Sequence, residues 1–263
     1  MAITEADSAS KLAVIRRLEA VGFRAFPATH TVFDGTWAVR LTPAFPAKRL
    51  NSVNPLDPSD HARIAERVQA AERRFAEAGR SLVFRLSPLA SPELVAFLDD
   101  AGFRAFDETL VMTCDLEKAD FADLVDRIPI HDVQRYVAAS LAVHERPASL
   151  GNGLQRILED IAPQKAMFVR QEACGSPEAV ALAINERELA GILDVAVAKS
   201  RRGHGIGRDL VRTALRHVHL RGAKTAWVQV EADNEAGLRL YRSLGFSEAY
   251  RYIYRARFET ERS

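Results

Sequence analysis

The sequence is short of the residues that would tie it to a metal, a membrane or a nucleic acid. It has two cysteines in 263 residues, Cys114 and Cys174, with no C-x-x-C spacing. That excludes a disulfide framework, argues against a zinc site and suits a reducing compartment. No apolar run approaches the roughly 20 residues that a membrane-spanning helix needs. Glu5 and Asp7 stand where a secretory leader would be apolar. Neither sign of charge is in excess: 36 Lys and Arg face 35 Asp and Glu, which leaves no general basic field for DNA or RNA. The expectation is a cytoplasmic protein, monomer or homodimer, with no metal, membrane or nucleic-acid partner.

What is present is a globular composition, 48% hydrophobic and 27% charged, in a chain long enough for one large or two modest domains. Its most informative stretch runs from Gly191 to Phe246. Residues 191–197 form a short apolar run rich in β-branched side chains, which reads as a buried strand. Arg202, Gly203, His204, Gly205, Ile206 and Gly207 follow, and then Ile206, Leu210, Ala214 and Val218 recur at a spacing of four, one face of a helix. A strand, a glycine turn and a helix N-terminus make an anion-binding device, because unpaired N–H groups and the positive helix end face a ligand that glycine lets approach. Arg201, Arg202 and Arg208 add positive charge. Three glycines alone could equally shape a plain turn. No Lys-Ser or Lys-Thr follows, so this is no Walker loop, and G-x-G-x-G is not the dinucleotide fingerprint G-x-G-x-x-G.

Along the chain, helices are expected over 11–21, from Ser59 to Gly79, from Ser91 to Ala101, over 131–145, 155–161 and 206–222, and from Asn234 to Leu244. Strands are expected between them, with a hairpin at Asp34-Gly35. The helix-ending glycines Gly79 and Gly222 lie 143 residues apart (222 − 79), as do Gly102 and Gly245 (245 − 102). On that offset helix, strand, helix and Gly-Phe superpose without a gap, which predicts two α/β halves. Residues 1–116 would be one domain, 117–130 a linker and 131–263 a second domain. Gly22-Phe-Arg-Ala-Phe26 also recurs at 102–106, but that offset carries little else.

The run Asn234-Glu-Ala-Gly-Leu-Arg-Leu-Tyr-Arg-Ser-Leu-Gly-Phe246 resembles the N-x-x-A-x-x-L-Y-x-x-L-G-F signature of the GNAT acetyltransferase superfamily, with Gly237 where alanine is usual. Arg202, Gly205 and Gly207 resemble its R-x-x-G-x-G pyrophosphate loop. The resemblance covers about the C-terminal half and implies a mixed α/β (α+β) fold, two tandem GNAT-like domains with mostly antiparallel, partly splayed sheets flanked by helices. It also implies acetyl-CoA as acetyl donor. The arm of that donor would lie along Val195, Ala196 and Val197, its pyrophosphate on the N–H groups from Gly203 through His204, Gly205, Ile206 and Gly207 to Arg208, next to Arg202. Asn234 would bond the arm or cap a helix, and Ala236 and Gly237 would allow close approach. Tyr241 is expected to protonate the departing thiolate as general acid.

For the base, Asp194 interrupts an apolar strand, and burial there would raise its pKa. Glu231 and Glu172 are fallbacks, and Gly191 stands where some family members carry a strand glutamate. His217 and His219, two apart on a helix, face different ways and are no metal pair. On the 143 offset the first half has Asp60-His-Ala-Arg-Ile64 in place of the glycine loop and Leu98 in place of Tyr241. It is expected to be degenerate and to shape the substrate groove. The expected protein is an acetyl-CoA-dependent N-acetyltransferase whose acceptor is a small-molecule or peptide amine; the alternative is a non-catalytic acyl-CoA-binding sensor or scaffold.

Overall fold

The computed structural model describes residues 5–258 except Asp123, Val125 and Asp126; those three fall within the expected linker, and the chain's two ends also lie outside the described residues. Helix α1 (Glu5–Ala25) leads into the hairpin β1 (His30–Asp34) and β2 (Trp37–Leu41), then β3 (Ser52–Pro55), α2 (Ile64–Glu77), β4 (Val83–Leu86), α3 (Pro92–Asp100) and β5 (Arg104–Asp115). The second half follows with α4 (Val133–Val143), α5 (Gly151–Glu159), β6 (Gln164–Gln171), β7 (Pro177–Glu186), β8 (Leu189–Val197), α6 (Ile206–His219), β9 (Thr225–Glu231), α7 (Glu235–Ser243) and β10 (Ser247–Ala256).

The element order repeats, and the four helix-ending glycines explain why it was legible. Gly79, Gly102, Gly222 and Gly245 all have positive φ, between 64° and 90°, a conformation that only glycine adopts freely. After each, the next N–H bonds back five residues: Arg80 to Phe75, Phe103 to Leu98, Ala223 to Val218 and Phe246 to Tyr241. Ser91 caps α3 through Leu94 N, with Pro92 in the first turn. Several boundaries differ from expectation, the starts of α1 at Glu5 and of α5 at Gly151 among them, and two have a visible physical reason. Helix α1 runs through Gly22 to Ala25, because Gly22 faces the Trp227 and Gln229 side chains and packing holds the helix past it. Ser59 does not cap α2: its hydroxyl bonds Asp57, and α2 starts five residues later behind Arg63 in a left-handed conformation.

All ten strands lie in one mixed sheet, in the order β1-β2-β3-β4-β10-β5-β9-β8-β7-β6. Only β3–β4 and β8–β9 are parallel. The centre of the sheet is an exchange: β5, the last strand of the first half, pairs with β9, while β10, its counterpart, pairs with β4. The two exchanged strands also pair with each other. One face of the sheet packs against α1, α4 and α5 around Ile15, Tyr136, Leu154 and Trp227. The other packs against α6 and α7 around Leu210, Val228 and Tyr241, and, in the first half, against α2 and α3 around Phe75, Phe84 and Leu98.

Candidate active site

The site forms where two strands part. β8 and β9 pair only from Leu189–Thr225 to Gly191–Trp227, yet β8 continues to Val197 and β9 to Glu231. Past Gly191 the β9-facing edge of β8 has no ladder, so its backbone groups are left for a ligand. A cleft of about 420 Å³ opens through the gap. Ile192, Val195 and Tyr241 line it from the α6/α7 face, and Leu193, Asp194 and Trp227 from the opposite face. Gly191 carries no side chain for a physical reason: a Cβ there would lie 2.4 Å from the Trp227 ring. The indole fills the space that a strand-borne glutamate would need.

Beyond the end of β8, Gly203 (φ 80°) and Gly205 (φ 76°) turn the chain into α6. A Cβ at either would meet no atom within 4 Å, so the loop stands open. Gly205 occupies the N-cap without a side chain to accept from the first turn, leaving N–H groups of 206–208 directed outward. This arrangement fits a phosphate group. Arg202 Nε donates to Val197 O at 3.1 Å, and Arg208 Nη1 to Ser243 Oγ at 2.8 Å, so the loop is tied to β8 and α7. His204 Nδ1 lies 2.8 Å from Arg202 O. Arg201 does not add free positive charge as expected; it is held by Glu178 at 3.0 Å and Glu172 at 3.4 Å.

Asn234 caps α7, its Oδ1 accepting from Gly237 N at 2.9 Å. The space left by the missing Cβ of Gly237 is filled by the Asn234 amide, 2.9 Å from where that Cβ would be, and not held for a ligand. Tyr241 is buried, packs edge-on against Phe246 and lines the cleft. Its hydroxyl has no hydrogen-bond partner among the described residues, and burial raises its pKa, so the phenol stays protonated and free to donate.

Asp194 differs most from expectation. A bulge in the β7–β8 register at this point, with Asp194 at φ +50°, puts Leu193 and Asp194 on the same face, so the carboxylate meets α4. Ser140 Oγ donates to it at 2.6 Å, Tyr136 Oη at 3.0 Å, and His144 Nε2 and Arg146 Nη1 lie 2.9 and 3.7 Å away. Burial alone would raise its pKa, but the His144 and Ser140 bonds and the His144 and Arg146 charges outweigh it and leave the carboxyl below its usual range. The expected raised pKa is therefore corrected: this is a held carboxylate, not a poised base.

His144, which sequence reasoning passed over, lines the cleft beside it. Tyr136, Ser140 and His144 recur at a spacing of four on an otherwise apolar helix face, a pattern that could have flagged them. Glu231 lies at the cleft with an exposed carboxylate 3.9 Å from Lys48. Glu172 is instead engaged by Arg201. His217 and His219 pack on Phe168 and Phe121, and no cluster of three metal-binding side chains occurs among the described residues. The first half contributes Phe45, Lys48 and Arg49 to the cleft. Its own counterpart positions are closed: Leu98 is fully buried, and Asp60 bonds Thr36 and Arg67.

The family described as "Probable histone acetyltransferase Rv0428c C-terminal" matches residues 12–255. A mycothiol acetyltransferase from Corynebacterium efficiens is 42% identical over 66 residues, 25% of this chain and 22% of that one. The [ribosomal protein bS18]-alanine N-acetyltransferase of Escherichia coli is 38% identical over 60 residues, 23% of this chain and 40% of that one. The chain thus spans less than half of either relative. A solved structure of a GCN5-related N-acetyltransferase from Kribbella flavida shares the whole fold, with TM-score 0.68 at 15% identity over 94% of this chain and 96% of that one.

Proposed function

The chain belongs to the family of the Rv0428c C-terminal region, within the GNAT acetyltransferases, and from that premise we propose that it moves an acetyl group from acetyl-CoA directly to a primary amine. Acetyl-CoA supplies an activated thioester; the protein's own residues do the rest. The observation that carries the reading is the parting of β8 and β9 beside Tyr241. In the proposed reaction the free backbone edge at 192–197 takes the pantetheine arm as an added strand. The N–H groups from Gly203 to Arg208 hold the pyrophosphate, with Arg202 and Arg208 alongside. Asn234 serves as helix cap, and its amide NH2 remains to bond the arm.

The incoming amine must arrive neutral. His144 is the group we assign to take its proton, with Asp194 fixing the imidazole through Nε2 so that Nδ1 is left to accept. Nitrogen attacks the carbonyl, the C–N bond forms, the C–S bond breaks, and Tyr241 returns a proton to the sulfur. The ammonium gives one proton to His144, and the second, shed by nitrogen as the amide forms, restores the Tyr241 phenol that protonated the thiolate, so of the two protons that leave nitrogen one ends on sulfur and one on His144.

Acetyl-CoA should raise the melting temperature of the protein, and with an accepted amine the protein should release free thiol. Protection without thiol release from any amine would leave a non-catalytic acyl-CoA binder. His144→Gln should lower kcat by roughly 10²-fold or more while acetyl-CoA protection persists. A kcat within a factor of three of the wild type would sink the assignment of His144.

A further inference from the structure

The far end of the cleft, on the α1 side of the sheet, holds more positive charge than its carboxylates match. Arg40 and Arg85 are 3% exposed and Glu19 is equally buried. Glu19 is consumed by Arg85, at 3.0 Å through Nη2, and by the Tyr250 hydroxyl. Arg40 has only carbonyls: those of Phe26 at 2.6 Å, Arg49 at 2.8 Å and Phe23 at 3.3 Å. Lys48 is taken by Asp107, and Arg146 leans on Asp194. Arg49, half-buried in the short 3-10 turn at Lys48–Leu50, has no carboxylate partner among the described residues. Its guanidinium lies 5.7 Å from the Phe26 ring, and it lines both the cleft and the recess that leads to Arg40, Arg85 and Glu19. Three guanidiniums around one carboxylate leave an uncompensated positive site, which is costly in a half-desolvated place unless an anion completes it. Burial and the Arg85 charge push the Arg40 pKa down to about 9, a sign of the same excess.

The two carboxylates that reach the cleft already have basic neighbours: Asp194 has His144 and Arg146 on the α4 side, and Glu231 has Lys48 at 3.9 Å. Among the described residues, Arg49 is the cleft cation left for an anionic group. We infer that the acceptor is a small amine bearing an anionic group, carboxylate or phosphate, which Arg49 receives while the amine faces His144 and Tyr241. This rests on the transferase reading above and narrows it. A polyamine would place a second cation against the arginines and is selected against.

Thiol release is measured with matched acceptors: β-alanine against β-alaninamide, O-phosphoethanolamine against ethanolamine, and putrescine. An anionic amine should exceed its neutral partner at least tenfold in kcat/KM. Arg49→Met, which keeps the contact with Phe26, should raise the KM of that acceptor about tenfold or more with kcat nearly unchanged, and should leave the neutral amine unaffected. Arg49→Lys should restore part of the loss. Equal or better use of neutral amines or putrescine overturns the proposal. A second readout needs no turnover: millimolar propionate or inorganic phosphate should raise the melting temperature of the wild type more than that of Arg49→Met, since anions held elsewhere act on both alike. Equal stabilisation overturns the anion site. No turnover with any amine, but Arg49-dependent stabilisation retained, overturns the transferase reading and leaves the anion site standing.

Discussion

Residues 60–64 and 203–207 hold the same place in the two halves, each just before a helix that crosses back over the sheet, and they are built in opposite ways. In the second half, two glycines with positive φ leave the start of α6 without a side-chain cap and open to an anion. In the first, the counterpart of Gly203 is Asp60, whose carboxylate accepts from Thr36 N at 2.8 Å, Thr36 Oγ1 at 2.7 Å and Arg67 Nη1 at 2.8 Å. The charge that a ligand would bring is already supplied from within. The same topology thus leaves an open loop in one half and a structural tie in the other, and the choice is made by a few residues. The 143-residue offset also sets Tyr241 against Leu98: one lines the cleft, the other fills a core.

The largest expected effect tests that last pair. Tyr241→Phe should lower turnover by roughly 10²- to 10⁴-fold while acetyl-CoA affinity and melting temperature hold; turnover within a factor of three would remove Tyr241 as the acid. Leu98→Ala should do the reverse, costing about 2–5 kcal/mol of stability in denaturant unfolding with KM unchanged. Next come the loops. Gly203→Asp, which copies the first half into the second, should weaken acetyl-CoA binding about tenfold or more through like-charge repulsion and the strained backbone. Asp60→Gly should lower the melting temperature and leave acetyl-CoA affinity alone; a change in that affinity would break the contrast. The smallest effect concerns pH. Burial would raise the Asp60 pKa, but the bonds from Arg67 and Thr36 bring it down to about 2 from 3.8. A depressed carboxyl stabilises the fold above its unfolded value and loses that contribution as pH falls through the folded one. The difference in melting temperature between wild type and Asp60→Asn should stay constant above about pH 5 and close between about 4 and 2. A difference that does not shrink between pH 4 and 2 would show Asp60 to be untied.

What the sequence disclosed was what local chemistry fixes. Gly79, Gly102, Gly222 and Gly245 end helices because the chain needs positive φ there, and Ser91 and Asn234 cap helices with their own side chains. The repeated element order and the open loop were therefore legible. What stayed hidden depends on partners distant in sequence. The environment of Asp194 is set by a bulge and by four side chains on α4 and just after it, so its burial was foreseeable but the direction of its pKa was not. Helix α1 passes through Gly22 because Trp227 and Gln229 sit against it. The excess charge at Arg49 exists only because β10 brings Tyr250 to Glu19 and because β2 and β4 hold Arg40 and Arg85 inward.

The exchange of β5 and β10 sets the timetable of assembly. As the chain leaves the ribosome, β4 is made long before its neighbour β10, which begins 161 residues after β4 ends (247 − 86). Until then β4 has an open edge on its inner side, of the kind that recruits stray strands. Glu19 and Arg85 likewise wait for Tyr250 to close over them. The arginine end of the cleft is therefore completed only when the second half has been synthesised, and a chain stopped before Ser247 would have the glycine loop but no finished first half.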